Sequence, residues 1–169
     1  MPDGLTHVMV GYISVNRQFQ KGWLTLFLFG SLLPDLLLRG GRLFFTGHLQ
    51  RDYFELYLVP LHTPFTSLFI CLALSQLFHS SIRKKSFILL YSGCLLHFFL
   101  DFFQCTIDGF GLKVQSLGGY HWLFPISWFD LQFGIFWPED APYSLIILTP
   151  IVIWVYIKNK KGGAIGMDN

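Results

Sequence analysis

Residues 86–103 read SFILLYSGCLLHFFLDFF, an apolar run interrupted by one formal charge, Asp101, and one imidazole, His97. Three other stretches resemble it. Residues 22–38 (GWLTLFLFGSLLPDLLL) carry only Asp35, residues 64–82 carry His79 and no charge, and residues 142–157 carry no charge. Runs of about 16–19 residues make about 24–28 Å of helix at 1.5 Å per residue, close to the ~30 Å of a bilayer's hydrocarbon core. The sequence therefore predicts an all-α integral membrane bundle with about four spanning helices. Before them, Leu5, Val8, Met9, Tyr12 and Ile13 follow the i, i+3, i+4 rule of an amphipathic helix. Too short to span, it is expected to be re-entrant or half-buried, with His7, Gly11 and Ser14 as a polar stripe on its other side.

Composition agrees. Of 169 residues, 53% are apolar, 18% aromatic and 13% charged, with a mean hydropathy of +0.50. Soluble domains average about 25% charged residues; a helical bundle in water needs polar outer faces that these segments lack. Disorder and a nucleic-acid-binding surface are excluded. The net charge of +2 is too small to call for a polyanionic partner. The length suits one domain, 1–169, and leaves the oligomeric state open. Cys71, Cys94 and Cys105 form no CxxC pattern, and the first two sit in apolar runs as core residues.

Charge sets an orientation. Arg17, Lys21, Arg83, Lys84, Lys85, Lys158, Lys160 and Lys161, eight of the twelve basic residues, fall in one set of turns, whereas Arg39, Arg42, Arg51 and Lys113 fall in the opposite loops. The positive-inside rule puts the larger set in the cytoplasm and turns the aromatic loop 104–141 outward. On that map His7, Asp35, His62, His97 and Asp101 come from separate segments to one outer level. His97 and Asp101 are i, i+4 and share a helix face; Gly93, one turn earlier, would admit a close neighbour. Pro34 lacks the N–H that would bond the Gly30 carbonyl and should bend its helix beside Asp35. Thr63 can cap a helix with Pro64 at its first position, next to His62. A carboxylate in hydrocarbon costs at least ~2.5 kcal/mol and needs a partner. Imidazoles and carboxylates together suit one or two divalent ions, zinc first. Taken singly, each has a plainer role: His7 and His62 as packing residues, His97–Asp101 as a stabilising pair, Asp35 as a partner of Arg39. His48 and His79 are expected not to be ligands; His121 lies on the right side and is undecided.

The motifs Thr6-His7, Leu33-Pro34-Asp35, His62 before Thr66-Ser67-Leu68, and His97-x-x-x-Asp101 resemble those of the bacterial membrane-bound metal-dependent hydrolases, which include an inner-membrane group under SOS control. Thr106, Gly109 and the stretch 122–127 (WLFPIS) are similar to the family's continuation, so that the resemblance covers about residues 5–130. The chain departs from the family where His-Arg and a nearby Thr-His-Ser are usual: it has His62-Thr63-Pro64-Phe65-Thr66-Ser67, with one histidine and no arginine. The resemblance implies a hydrolase of the inner membrane, distantly similar in ligand order to zinc-dependent phospholipases C.

A cation on these residues would lower the pKa of a bound water toward about 7, with Asp35 or Asp101 as the general base. At headgroup level the expected substrate is a membrane lipid ester or phosphoester. Arg39 and Arg42 are placed to receive a phosphate, and Trp122 belongs to an aromatic loop that is either an interfacial belt or a lid; 49–61 is a candidate interfacial helix. The alternatives are a transporter or channel component that relays ions through intramembrane His and Asp, and a metal-stapled structural membrane protein. Against the first, the ionisable residues gather at one end.

Overall fold

A computed structural model of the chain describes residues 4–15, 20–45, 59–103, 124–127 and 141–164, the side chains of 39, 41–45, 59, 141 and 161–164 excepted. The described residues are helical, with no strand. Helix α1 is Gly4–Val15, α2 is Lys21–Phe45, a 3-10 turn covers Val59–Leu61, α3 is Pro64–Ser75, α4 is Ser80–Phe102 and α5 is Ala141–Ala164. Three segments are long and apolar enough to cross a membrane: Lys21–Leu38, Ser80–Phe102 and Pro142–Lys160.

The fourth expected span, 64–82, is not one helix. It breaks at 76–79, leaving α3 with 12 residues, about 18 Å of helix. The last N–H groups of α3 tighten onto i−3 carbonyls (Gln76 to Ala73, Leu77 to Leu74, Phe78 to Ser75), which closes a helix end. Ser75 Oγ and Gln76 Nε2 both return to the Leu72 carbonyl, at 2.7 and 3.2 Å. His79 then opens α4: its Nδ1 accepts from the Ser81 backbone N–H and lies 2.9 Å from Ser81 Oγ. Hydropathy was blind to this boundary because Leu77, Phe78 and Ile82 keep the stretch apolar across it. Of the proposed interfacial helix, 49–58 lies outside the described residues, and 59–61 is the 3-10 turn.

Helices α2 and α4 are the axis of the bundle and run parallel. Lys85 meets Trp23 near their starts, and His97 meets Ser31 a few turns on. Between those points the backbones touch. A Cβ on Gly30 would run into the Leu90 carbonyl, and one on Gly93 into the Phe27 carbonyl. The close approach expected at Gly93 is therefore real, and Gly30 is its counterpart. Helix α3 returns antiparallel to α4, with His62 beside His97 and Cys71 Sγ 3.6 Å from Cys94 Sγ. Helix α1 runs antiparallel to α2, its Gly4 near Leu32 and Asp35 and its Gly11 near Phe27 and Leu28. Among the described helices, α5 packs on α1 alone, and none of its apolar window is buried.

The packing is inverted relative to a water-soluble core. Buried faces carry Thr6, His7 and Gly11 on α1, Ser67, Cys71 and Ser75 on α3, and Ser86, Gly93, Cys94, His97 and Asp101 on α4. Large apolar side chains such as Leu5, Phe29, Phe69, Phe99, Ile146 and Trp154 point outward. On α1, His7 and Gly11 of the predicted polar stripe face the bundle, whereas Ser14 is exposed and bonds back to the Val10 carbonyl. Small residues let helices approach where the surroundings are apolar.

The Gly30–Gly93 contact has a direct test. Gly93→Ala should lower the stability of the detergent-solubilised protein by about 1–3 kcal/mol or more, because the added carbon meets backbone that must shift. Gly22→Ala, whose Cβ would meet nothing within 4 Å, should leave it unchanged or slightly raise it. Thermal unfolding followed by circular dichroism distinguishes the two.

Candidate metal centre

At the end of the bundle where α2 and α4 finish and α1 and α3 begin, the five residues singled out from the sequence meet. Each is held by a local feature. His7 lies in the second turn of α1 and is fully buried. Asp35 follows Pro34 inside α2 and is 3% exposed. His62 occupies the bend between the 3-10 turn and α3. There Thr63 caps α3 by accepting from the Thr66 N–H, Pro64 opens the helix, and the Thr63 and Thr66 hydroxyls both donate to the Pro60 carbonyl, at 3.1 and 2.7 Å. Sequence had proposed this cap. His97 and Asp101 project from one face of α4, both fully buried.

Asp101 is the hub. Its Oδ1 lies 3.3 Å from His7 Nε2, and its Oδ2 lies 3.2 Å from His97 Nε2 and 3.6 Å from His62 Nε2. The Nε2 atoms of His62 and His97 are 2.9 Å apart. Asp35 stands at the edge, its Oδ1 3.8 Å from His62 Nε2. The His7 and His97 rings stack at 4.0 Å between centroids, and His62 meets His97 edge-on at 5.0 Å. Phe98 closes one side against His62 and His97.

The tautomer of His97 follows from its neighbours. Its Nδ1 is 2.9 Å from the Ser31 carbonyl, an acceptor only, so Nδ1 carries the hydrogen and Nε2 of the neutral ring presents a lone pair to the cluster. A backbone carbonyl behind a ligating histidine is a common way to fix such a ring. The surrounding carbonyls are arranged by Pro34. Lacking an N–H, it leaves the Gly30 carbonyl without its helical donor, and Cys94 Sγ donates there instead at 3.2 Å. Sequence reasoning identified Pro34 and the Gly30 carbonyl it frees, and missed the Cys94 donor and the Ser31 carbonyl behind His97. The available signal was the four-residue step from Gly30 to Pro34, whose outcome depends on which helix lies opposite. Burial holds the His62 imidazole down to about 3; His97 and His7 add to the depression and Asp101 opposes it. The ring is neutral at neutral pH, as a metal ligand must be.

The donor set fits a small divalent cation. Ligand atoms of His7, His97 and Asp101, and likewise of Asp35, His62 and His97, lie within 4.8 Å of one another. Four donors about 2.0–2.1 Å from a tetrahedral ion stand about 3.3 Å apart, and the separations here run from 2.9 to 3.8 Å. Neither ring nitrogen of His7 and neither oxygen of Asp101 makes a hydrogen bond among the described residues, although all four atoms are buried. Buried polar atoms are ordinarily satisfied. Four such atoms close to His62 and His97 make a group that could hold a metal ion.

Of the remaining candidates, His79 is exposed and caps α4, as expected of a residue outside the cluster. Arg39, Arg42, Trp122, His48 and His121 lie outside the described side chains, as does most of the aromatic loop 104–141. Comparison with family models, curated proteins and solved structures yields no match to the chain.

Protein purified in detergent without chelator should contain about one or two zinc-like ions per chain by elemental analysis. His97→Ala and Asp101→Ala should each abolish that content, and His79→Ala should not. Pro34→Ala, which restores a donor to the Gly30 carbonyl and shifts the frame behind His97, should weaken metal affinity about 10–100-fold, the range typical of groups that orient ligands.

Proposed function

We propose that the chain is an integral membrane, metal-dependent hydrolase that acts at lipid-headgroup level on a phosphoester or ester. The observation that carries this is the convergence of three imidazoles and two carboxylates, from α1, α2, the turn before α3, and α4, within hydrogen-bonding to ion-pair distances of one another. Insertion costs make such a group unfavourable in an apolar bundle unless it has a task. The outward face supports the membrane assignment: many large apolar side chains, Phe69, Phe99, Ile146 and Trp154 among them, are exposed, as suits an apolar surrounding. Zinc, the ion that this nitrogen and oxygen set suits best, supplies an acidified water and a Lewis acid when bound.

The chain's own residues then divide the work. His7, His62, His97 and Asp101 hold the ion. Asp35, at the rim of the group, is the carboxylate placed to take a proton from an attacking water, within reach of the same centre. Phe98 keeps one wall apolar, which strengthens every electrostatic interaction inside. By the charge bias of the loops, this end faces away from the cytoplasm, and the membrane is the inner membrane of a bacterium, as the motif resemblance suggests. The near-complete burial of His7, His97 and Asp101 favours one competitor, an ion that staples the helices without turnover.

The two readings separate on Asp35. Asp35→Asn should retain the metal and lose release of headgroup or acyl product from mixed phospholipid micelles by about 100-fold or more, the usual contribution of a general base. Asp101→Asn should lose metal and turnover together. Metal binding by the native protein without any product across phospholipid and phosphoester panels would establish the staple instead.

A further inference from the structure

The opposite end of the bundle carries features that the metal centre does not use. Because α2 and α4 run parallel, both begin there, bringing Lys21, Arg83, Lys84 and Lys85 to one level. The only carboxylates among the described side chains, Asp35 and Asp101, are at the far end. These four cations therefore have no carboxylate counter-charge among the described residues. Lys21, Lys84 and Lys85 are exposed and Arg83 is half-buried. The Nε of Arg83 is shielded from solvent and makes no hydrogen bond among the described residues. An arginine Nε can only donate, so it calls for an acceptor.

Beside these cations lies a cleft of about 260 Å³ lined by Gln20, Gly22, Trp23, Leu26 and Phe78. Lys85 Nζ sits 4.3 Å from the centroid of the Trp23 ring, a cation–π contact that fixes the ammonium at the edge of the cleft. Arg83 is in the first turn of α4, its N–H bonded to the His79 carbonyl next to Phe78. The result is an apolar slot with one polar side chain, Gln20, and a cationic rim.

We infer that this cleft binds an anionic phospholipid, its phosphate toward Arg83 and Lys85 and the start of an acyl chain against Trp23, Leu26 and Phe78. A soluble phosphate makes no use of the apolar wall. A choline lipid would bring a further cation to an end of the bundle that already holds four. Basic pockets between membrane helices take anionic headgroups for the same reason. Loop charges that merely set topology need neither a cleft nor an ammonium held on an indole. The inference rests on the membrane assignment and not on the metal.

The test is native mass spectrometry of the full chain in neutral detergent with added dioleoylphosphatidylglycerol or dioleoylphosphatidylcholine. The glycerol lipid should be retained about tenfold more than the choline lipid. Each cation near an anionic headgroup contributes about fivefold, so Arg83→Gln/Lys84→Gln/Lys85→Gln should erase the preference. Trp23→Ala, which leaves the charge unchanged, should weaken retention of the glycerol lipid, and Trp23→Phe should restore most of it. His97→Ala should not alter retention, which separates this site from the metal centre. Equal retention of the two lipids overturns the inference. So does displacement of the bound lipid by millimolar glycerol 3-phosphate, which would mark a free-phosphate site, or full retention by Trp23→Ala, which would leave only diffuse surface charge.

Discussion

Where α2 crosses α4, the Phe27 carbonyl lies against Gly93 and the Leu90 carbonyl against Gly30, a separation that any side chain would forbid. That contact sets the register of the two long helices. One turn further along, the register decides which carbonyls of α2 meet the side chains of α4. Gly30 receives Cys94 and Ser31 receives His97. A helix normally keeps its carbonyls for its own N–H groups; Pro34 releases one of them, and the close crossing brings a donor to it. The orientation of the central histidine thus depends on a register set by a glycine pair that contributes no candidate ligand.

The second consequence is a segregation of charge. Helices α2 and α4 begin at the same end, so Lys21, Arg83, Lys84 and Lys85 gather there, and their two aspartates emerge together toward the other, where α2 runs on through Arg39 and Arg42. A buried group of imidazoles and carboxylates attracts cations, and a cluster of lysines attracts anions. In an apolar medium each end is costly without its counter-charge. The candidate metal centre and the proposed lipid cleft would each supply that counter-charge, at opposite ends of one helix pair.

The interior that connects them is built from small and weakly polar side chains. Ser31, Ser67, Cys71, Ser75, Ser86 and Cys94 are buried along the helix contacts beside Phe27, Leu33, Leu90 and Phe98, while other large apolar side chains such as Phe29, Phe69 and Phe99 turn outward. Ser31, Ser75 and Ser86 bond back to backbone carbonyls three or four residues earlier, to Leu28, Leu72 and Ile82, so that these three need no partner across the interface. They reduce the bulk between helices at little polar cost, which is how close packing is achieved where the outer surface is itself apolar.

Much of this was written in the chain. The all-helical class follows from the apolar run lengths, the His97–Asp101 pair from i, i+4 geometry, the α3 cap from Thr63 and Pro64, and the free Gly30 carbonyl from the proline rule at Pro34; these are local, and periodicity and backbone chemistry fix them before any helix meets another. The break at 76–79 was not legible, because hydropathy averages over a boundary made by two side-chain returns to Leu72 and a histidine cap. Nor was the inward turn of His7 and Gly11 on α1, since an amphipathic stripe has the same period whichever side is buried. The donor–donor distances, the central place of Asp101, the service of the Ser31 carbonyl and the common direction of α2 and α4 depend on contacts between segments as far apart in sequence as His7 and Asp101. Such contacts are set by how helix surfaces interlock, and only the folded bundle decides that.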